Sequence, residues 1–323
     1  MNDWKQVLKL SFKKLDELST FLNLDEKNKA LLFSHRTFPL LVPRRLAEKM
    51  KKNDLTCPIF RQFVPTLEES FHSDQFSCDP VEDHLFKKTD HLLHKYAHRM
   101  LVITTQACAM HCRYCFRQNY AYEVSTNYEK ELLIIQNDPS IQEVILSGGD
   151  PLSLSDEKLF ALLSQLASIP HVKIIRFHTR FLIGIPERIS SLFLEKLKQI
   201  KKQIIMVIHS NHALELDEDV LHSIKQLQSL KIPILCQTVL LKGVNDDLET
   251  LKTLCWKLIE NGIIPYYLHQ LDQVQGAMHF EVMQQKGLSL IDELRVYLPG
   301  YAMYQYVKEI PHKKHKTPFP IHL

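Results

Sequence analysis

Ile141-Gln142-Glu143-Val144-Ile145-Leu146-Ser147 is a short apolar run that ends on Gly148-Gly149-Asp150-Pro151, and an amphipathic stretch, Asp156 to Ala167, follows at once. A run of strand length broken by glycine and proline, then a helical period, reads as one βα unit. The same texture recurs along the chain beyond Met100. Strands are expected at Met100 to Thr104, Ile141 to Ser147, Val172 to His178, Gln203 to His209, Ile232 to Leu240 and Ile263 to His269. Helices are expected near Tyr128 to Asn137, Asp156 to Ala167, Pro186 to Ile200, Asp217 to Leu230, Leu248 to Glu260 and Glu281 to Tyr297. Successive units of this kind make an α/β fold, here a partial (β/α)6 barrel, although an open doubly wound sheet shares the pattern.

The loops favour the barrel. The chemically unusual stretches follow expected strands: a cysteine triplet, Ser147-Gly148-Gly149-Asp150-Pro151, His178-Thr179-Arg180, His209-Ser210-Asn211-His212 and His269-Gln270-Leu271-Asp272. Strand C-termini are where parallel α/β folds build their sites. From Trp4 to about Tyr96 the chain reads as helices and irregular stretches, with Val7, Leu8, Phe12, Leu15, Leu18 and Leu22 near helical spacing. Pro43 suits a first helical turn, and Thr66 to about Lys87, which has no period, reads as a long surface segment. The expected organisation is therefore an N-terminal helical extension (1–96), the barrel (97–298) and a short C-terminal segment (299–323).

Composition narrows the function classes. The chain has 323 residues, 45% hydrophobic and 24% charged, which is ordinary globular material with room for one barrel-sized domain. Its 40 basic residues against 37 acidic ones are too evenly balanced to argue for a nucleic-acid or membrane partner, and neither is expected. No apolar leader or membrane-length run is present, so a cytoplasmic protein is expected. Of seven cysteines, Cys57, Cys78, Cys236 and Cys255 are scattered singly while Cys108, Cys112 and Cys115 crowd together. That is a ligand pattern, not a disulfide framework, and a reducing compartment suits it.

Cys108-Ala109-Met110-His111-Cys112-Arg113-Tyr114-Cys115 has the form Cys-x3-Cys-x2-Cys. One short loop can thus set three soft thiolates around a four-iron, four-sulfur (4Fe-4S) cluster, leaving one iron without a protein ligand. A zinc site completed by His111 or a distant histidine is the other reading of the same residues. The spacing, with aromatic Tyr114 before the last cysteine, resembles the radical S-adenosylmethionine (SAM) superfamily motif. In that superfamily the open iron takes the amino and carboxylate groups of SAM. Gly148, Gly149 and Asp150 are similar to the element that holds the SAM amino group, with Asp150 expected to be free to accept hydrogen bonds.

Within that superfamily the chain resembles the lysine 2,3-aminomutase family, and in particular the bacterial branch that makes (R)-β-lysine for modifying elongation factor P. The resemblance rests on Leu93-His94-Lys95-Tyr96, Cys112 to Arg117, Ser147 to Pro151, His178-Thr179-Arg180, Leu240 to Asp246, Pro265 to His269 and Lys316-Thr317-Pro318. It implies an isomerase that moves the amino group of L-lysine from C2 to C3, and a second cofactor, pyridoxal 5'-phosphate (PLP), on Lys316. Such a lysine must present a neutral amine to an aldehyde, and the cations of His312, Lys313, Lys314 and His315 would favour that form. Lys313 and Lys314 compete for the same role. The resemblance further implies that Tyr96 and Arg99 contact PLP, with Lys95 where some members have arginine, and that Gln237 lies between PLP and SAM. Arg117 would grip the substrate carboxylate, and Asp272 and Glu309 its far ammonium. The implied partners are L-lysine, a cytosolic electron donor, elongation factor P and its lysyl-transferring enzyme. An aminomutase for another amino acid, a radical SAM enzyme without PLP acting on RNA or peptide, and a zinc-stabilised interaction protein remain the competing readings.

Overall fold

A computed structural model describes residues 3–34, 38–122 and 127–319. Its N-terminal part carries short helices at Trp4–Lys9, Leu15–Phe21, Glu26–Lys29, Arg44–Glu48 and Pro58–Phe63. Asp3 and Asp25 cap the first and third of these by accepting backbone N–H groups that the helices leave unpaired. The extension is not helical throughout. Its last part forms strands β1 (Lys87–Thr89) and β2 (Leu92–Tyr96), and β2 turns back through His98, at φ 64°, into β3 (Arg99–Ile103).

The sheet continues through β4 (Glu143–Ser147), β5 (Ile174–Thr179), β6 (Gln203–His209), β7 (Ile234–Val239), β8 (Ile264–His269), β9 (Gln305–Lys308) and β10 (Thr317–Pro318). The ten strands lie side by side in sequence order. From β3 to β9 every neighbour is parallel, while β1, β2 and β10 pair antiparallel at the two edges. A doubly wound sheet reverses its strand order at a switch point, and this one does not. The fold is therefore an α/β partial barrel, with β9 added to the parallel strands expected from sequence and β1, β2 and β10 added at its edges.

Helices Glu129–Asn137, Asp156–Ser168, Glu218–Ser229, Leu248–Glu260 and Gln284–Tyr297 fall where their periodicity puts them. The expected helix over Pro186 to Ile200 is broken into a turn at Pro186–Arg188 and a helix Ser191–Lys198 capped by Ser190. The break serves Arg188, whose buried guanidinium donates to the carbonyl oxygens of Leu152 and Leu154.

Alternation along the strands separates core from chamber. Val144 and Leu146, Ile175 and Phe177, and Ile204, Met206 and Ile208 all belong to the main hydrophobic core. Residues between them point to the other face of the sheet, and these include Arg176, His178 and His209. Leu18, Leu22, Leu46, Phe60 and Phe63 of the N-terminal extension pack into that same core, so extension and barrel share one apolar interior. The inner face carries these polar groups beside apolar Ile145, Ile205 and Val207. The edges of the curled sheet approach each other where Tyr96 on β2 donates a 2.6 Å hydrogen bond to Glu309, just past β9. Among the described residues no helix is long and apolar enough to cross a membrane.

Candidate active site

Cys108, Cys112 and Cys115 lie on the loop that leaves β3. The next loop, after β4, zips against it: Gly149 N–H donates to Thr105 O at 2.6 Å and Asp150 N–H to Ala107 O at 2.8 Å. No side chain fits between them. A Cβ on Gly149 would sit 2.4 Å from Ala107 O, and Gly148, at φ 119°, would bring one within 2.7 Å of Thr105 O. The Gly-Gly pair is thus required by the close approach of the cysteine loop itself.

Burial pushes all three thiols up, Cys115 to about 11, so cluster assembly must release protons held firmly in the metal-free chain. His111, the candidate fourth zinc ligand, bonds Pro39 O through Nδ1 at 2.8 Å and stacks on Phe38. Among the described residues no group of three His, Cys, Asp or Glu side chains converges as one metal ion would need. A cubane spreads its thiolates over separate irons, and a loop bearing three thiols in a backbone cradle fits it.

Asp150 departs from expectation, because its carboxylate is not free. It accepts from the backbone N–H groups of Leu152, Arg180 and Phe181 and from Thr179 Oγ1, all within 3.0 Å. Burial nevertheless pushes its carboxyl up to about 6 against those bonds. Its effect on a ligand would pass through the Gly148-Gly149 backbone that it anchors.

The segment Thr66 to Lys87 is no mere surface stretch. Buried Glu69 pairs with buried Arg113 at 2.5 Å, and buried Asp83 pairs with Arg117 at 2.8 Å. Arg117 also donates to Ser147 Oγ at 3.3 Å, which leaves part of its guanidinium for a ligand. Burial opposes the Arg117 charge, but Asp83 holds it protonated.

His178, His209 and His269 sit at the C-terminal ends of β5, β6 and β8. Burial, with the nearby Lys316 charge, pushes all three imidazoles down, His209 to about 3, so they are neutral. The Nε2 atoms of His178 and His269 are buried without a hydrogen-bond partner, an unsatisfied polar lining that a bound ligand would complete. Gln237 on β7 meets His209 Nε2 at 2.5 Å. The expected site residue Gln237 is thereby joined to the unusual stretch that ends β6.

Glu309 is the hub of the C-terminal cluster, with Lys95 at 2.7 Å, Lys316 at 2.9 Å and the Tyr96 hydroxyl at 2.6 Å. The charge in contact with Lys316 is thus a carboxylate, not the expected cations, and Lys313 and Lys314 are exposed. Arg99 lies over the Tyr96 ring, 5.2 Å from its centroid. Asp272 is only half-buried by area yet enclosed by protein; burial pushes its carboxyl up to about 6, and Lys316 and Lys95 only partly counter this.

Burial alone would raise Glu309, but Lys316, Lys95 and Tyr96 bring it down to about 2 from 4.5. A depressed carboxyl stabilises the fold above its unfolded value, and that contribution is lost as pH falls from about 4.5 through 2. The shift corresponds to roughly 3 kcal/mol at neutral pH. Glu309→Gln is therefore expected to lower the cofactor-free stability by about that amount at pH 7 and by little near pH 2. Urea unfolding at the two pH values checks this, and equal losses at both would show that the ion cluster is not the source.

Asp83, Glu69, Gln62 and Glu215 were not legible as site residues. Each touches the site through a partner distant in sequence, as with Asp83 and Arg117, which are 34 positions apart.

The Radical SAM superfamily pattern matches residues 102–254, which span the cysteine loop and the strands up to β7. Three relatives similar over nearly the whole chain are each named L-lysine 2,3-aminomutase. That of Escherichia coli is 37% identical, covering 99% of this chain and 95% of the relative. That of Haemophilus influenzae is 36% identical over 98% and 95%, and that of Buchnera aphidicola 35% over 97% and 94%.

Proposed function

The chain belongs to the L-lysine 2,3-aminomutase family of radical SAM enzymes, and from that premise we propose that it converts L-α-lysine into (R)-β-lysine used to modify elongation factor P. The family are isomerases that use a 4Fe-4S cluster, SAM and PLP. The observation that carries the reading is that one barrel holds both the Lys316–Glu309–Lys95–Tyr96 cluster with the Gln237–His209 pair and, on the loops after β3 and β4, the three cysteines against Gly148-Gly149. The elongation factor P assignment rests on the sequence resemblance to that branch. It makes the lysyl-transferring enzyme the consumer of the product. A low-potential electron donor in the reducing cytoplasm would supply the electrons.

When bound, the cluster with SAM would supply the hydrogen-abstracting radical, and PLP would supply the π-bond that lets the substrate's own amino nitrogen migrate. The chain's own residues do the rest. Cys108, Cys112 and Cys115 would hold the cluster, and the Gly148-Gly149 backbone, anchored by Asp150, would let SAM approach the cysteine loop. Lys316 would carry PLP, with Lys95 and Arg99 available to its phosphate, Tyr96 beside them on Glu309, and Gln237 where the resemblance sets a residue between PLP and SAM. Lysine is a single-point donor where the family's arginine is two-pronged, so Lys95 neutralises phosphate with less geometric control. Arg117, steadied by Asp83, faces the substrate carboxylate. Neutral histidines wall the chamber without introducing charge that would compete for substrate.

Incubating reconstituted, reduced protein with SAM, PLP and L-lysine, followed by chiral amino-acid analysis, tests the reading. Absence of β-lysine from protein loaded with all three cofactors would sink it.

The far ammonium needs an anion, because an unpaired buried cation costs several kcal/mol. Glu309 is already shared among three donors, whereas burial and through-space charge dominate at Asp272. Asp272→Asn is expected to cost lysine turnover roughly 3–5 kcal/mol in kcat/KM, with iron and PLP content unchanged. In the unaltered enzyme, kcat/KM for lysine should fall as pH drops through about 6, where the Asp272 carboxyl takes up its proton and loses its charge. Near-normal lysine turnover by Asp272→Asn would remove this residue from substrate recognition.

A further inference from the structure

Beneath the cysteine loop lies a buried polar network to which the proposed chemistry assigns no role. Arg180, at the end of β5, is 7% exposed and directs Nη1 at Cys112 Sγ, 3.1 Å away, and at the Tyr114 hydroxyl. Its Nη2 donates to Glu215 at 2.8 Å and to Gln62 at 2.6 Å. Glu215 and Gln62 are fully buried, and Asn211 Nδ2 ties Gln62 to the Tyr114 hydroxyl with bonds of 3.0 and 2.6 Å. The guanidinium is thereby fixed from several sides, with a permanent positive charge and an N–H at one sulfur only. Among the described residues no guanidinium hydrogen bond is found at Cys108 or Cys115; the Cys115 sulfur meets only the Arg117 backbone N–H.

Holding a cation and an anion together in a dry interior is costly, and apolar residues of the same shape would pack as well. Stability therefore gives no reason for this arrangement. Hydrogen bonds to cluster sulfurs and local charge set the potential of an iron–sulfur centre. One-electron reduction adds a negative charge to the cluster and its thiolates. A nearby guanidinium in low dielectric stabilises that added charge, and a nearby carboxylate opposes it.

We propose that Arg180 is a positioning residue that raises the reduction potential of the cluster through Cys112, and that Glu215 sets the size of the effect by partly offsetting its charge. The electron comes from an external low-potential one-electron donor, which is oxidised by one equivalent as the cluster is reduced by one. No bond is broken and no proton need move. The inference rests on the ligand reading of Cys112, but its test fails differently: loss of a ligand removes iron, whereas loss of tuning leaves the iron and moves the potential.

The experiment is an EPR-monitored dithionite titration of cluster-loaded protein without SAM, comparing the unaltered chain with Arg180→Gln and Glu215→Gln, with iron and sulfide measured on each sample. Arg180→Gln is expected to lower the reduced-to-oxidised ratio at a fixed potential about tenfold, which is about 59 mV for one electron. Glu215→Gln is expected to move it the opposite way. Opposite signs are the signature of tuning, because general loosening of the site would move both variants alike. If Arg180→Gln does not assemble a cluster, the Glu215→Gln sample decides alone, and an unchanged or lowered potential there overturns the proposal. Unchanged potentials in two fully loaded variants, or loss of the cluster in both, would also overturn it and leave the network a purely structural role.

Discussion

Replacing Cys112 with alanine is expected to abolish both the oxygen-sensitive iron chromophore and every trace of SAM cleavage, and Cys108→Ala and Cys115→Ala should do the same. A cluster held by three thiolates has no spare protein ligand, and removal of one opens a second iron to loss. The surroundings offer no substitute. His111 is committed to Pro39 O and the Phe38 ring, and Asp150 is saturated by four donors. The matched control is Cys255→Ala, since Cys255 is fully buried in the main core and its loss leaves only a small cavity there. That protein should keep full iron content and SAM cleavage. Iron, sulfide and visible absorption after anaerobic reconstitution read the outcome, and a full four-iron content in Cys112→Ala would move the cluster to other ligands.

The same residues show what could be read in the sequence and what could not. Strands β3 to β8 were legible because a parallel strand covered by helices on one face must be apolar, and Val144-Ile145-Leu146 or Ile204 to Ile208 say so directly. Strand β9 was not. Gln305-Tyr306-Val307-Lys308 is short and mixed, and its place is fixed by pairing with Tyr267 to His269, which no local period reveals. The cysteine loop was legible because its ligands are close in sequence and their spacing is chemistry. The ion pairs that steady it were hidden for the opposite reason. Glu69 and Arg113, or Gln62 and Glu215, are brought together only by folding, and they lie in stretches whose local pattern carries no charge signal. Asp150 was misread because a carboxylate after a glycine pair looks available. In the folded chain the backbone of Thr179 to Phe181 turns back onto it.

The second large effect is expected at Lys316, where Lys316→Ala should eliminate the bound PLP and all β-lysine formation while leaving the iron content unchanged. Family register and geometry converge on it from different directions. Lys316 precedes Thr317-Pro318, whose strand β10 pairs with Val307 and Lys308 and so pins the segment against the barrel. Its side chain is 26% exposed, reaches Glu309 at 2.9 Å, and acts electrostatically on three chamber histidines. Lys313 and Lys314 are exposed on the preceding turn, where neither enclosure nor a fixed partner would orient an amine. An amine must shed its proton before it can bond to an aldehyde, and to do so Lys316 must leave its Glu309 contact. The cost of leaving that contact is limited, because Glu309 keeps Lys95 and Tyr96 as partners and is not left bare. Borohydride reduction of the PLP-loaded protein followed by peptide mapping should therefore place the pyridoxyl group on Lys316, and Lys313→Ala and Lys314→Ala should be labelled as fully as the unaltered chain. A label on either exposed lysine, or full PLP retention by Lys316→Ala after exhaustive dialysis, would transfer the cofactor to a different residue and detach it from the Glu309 hub.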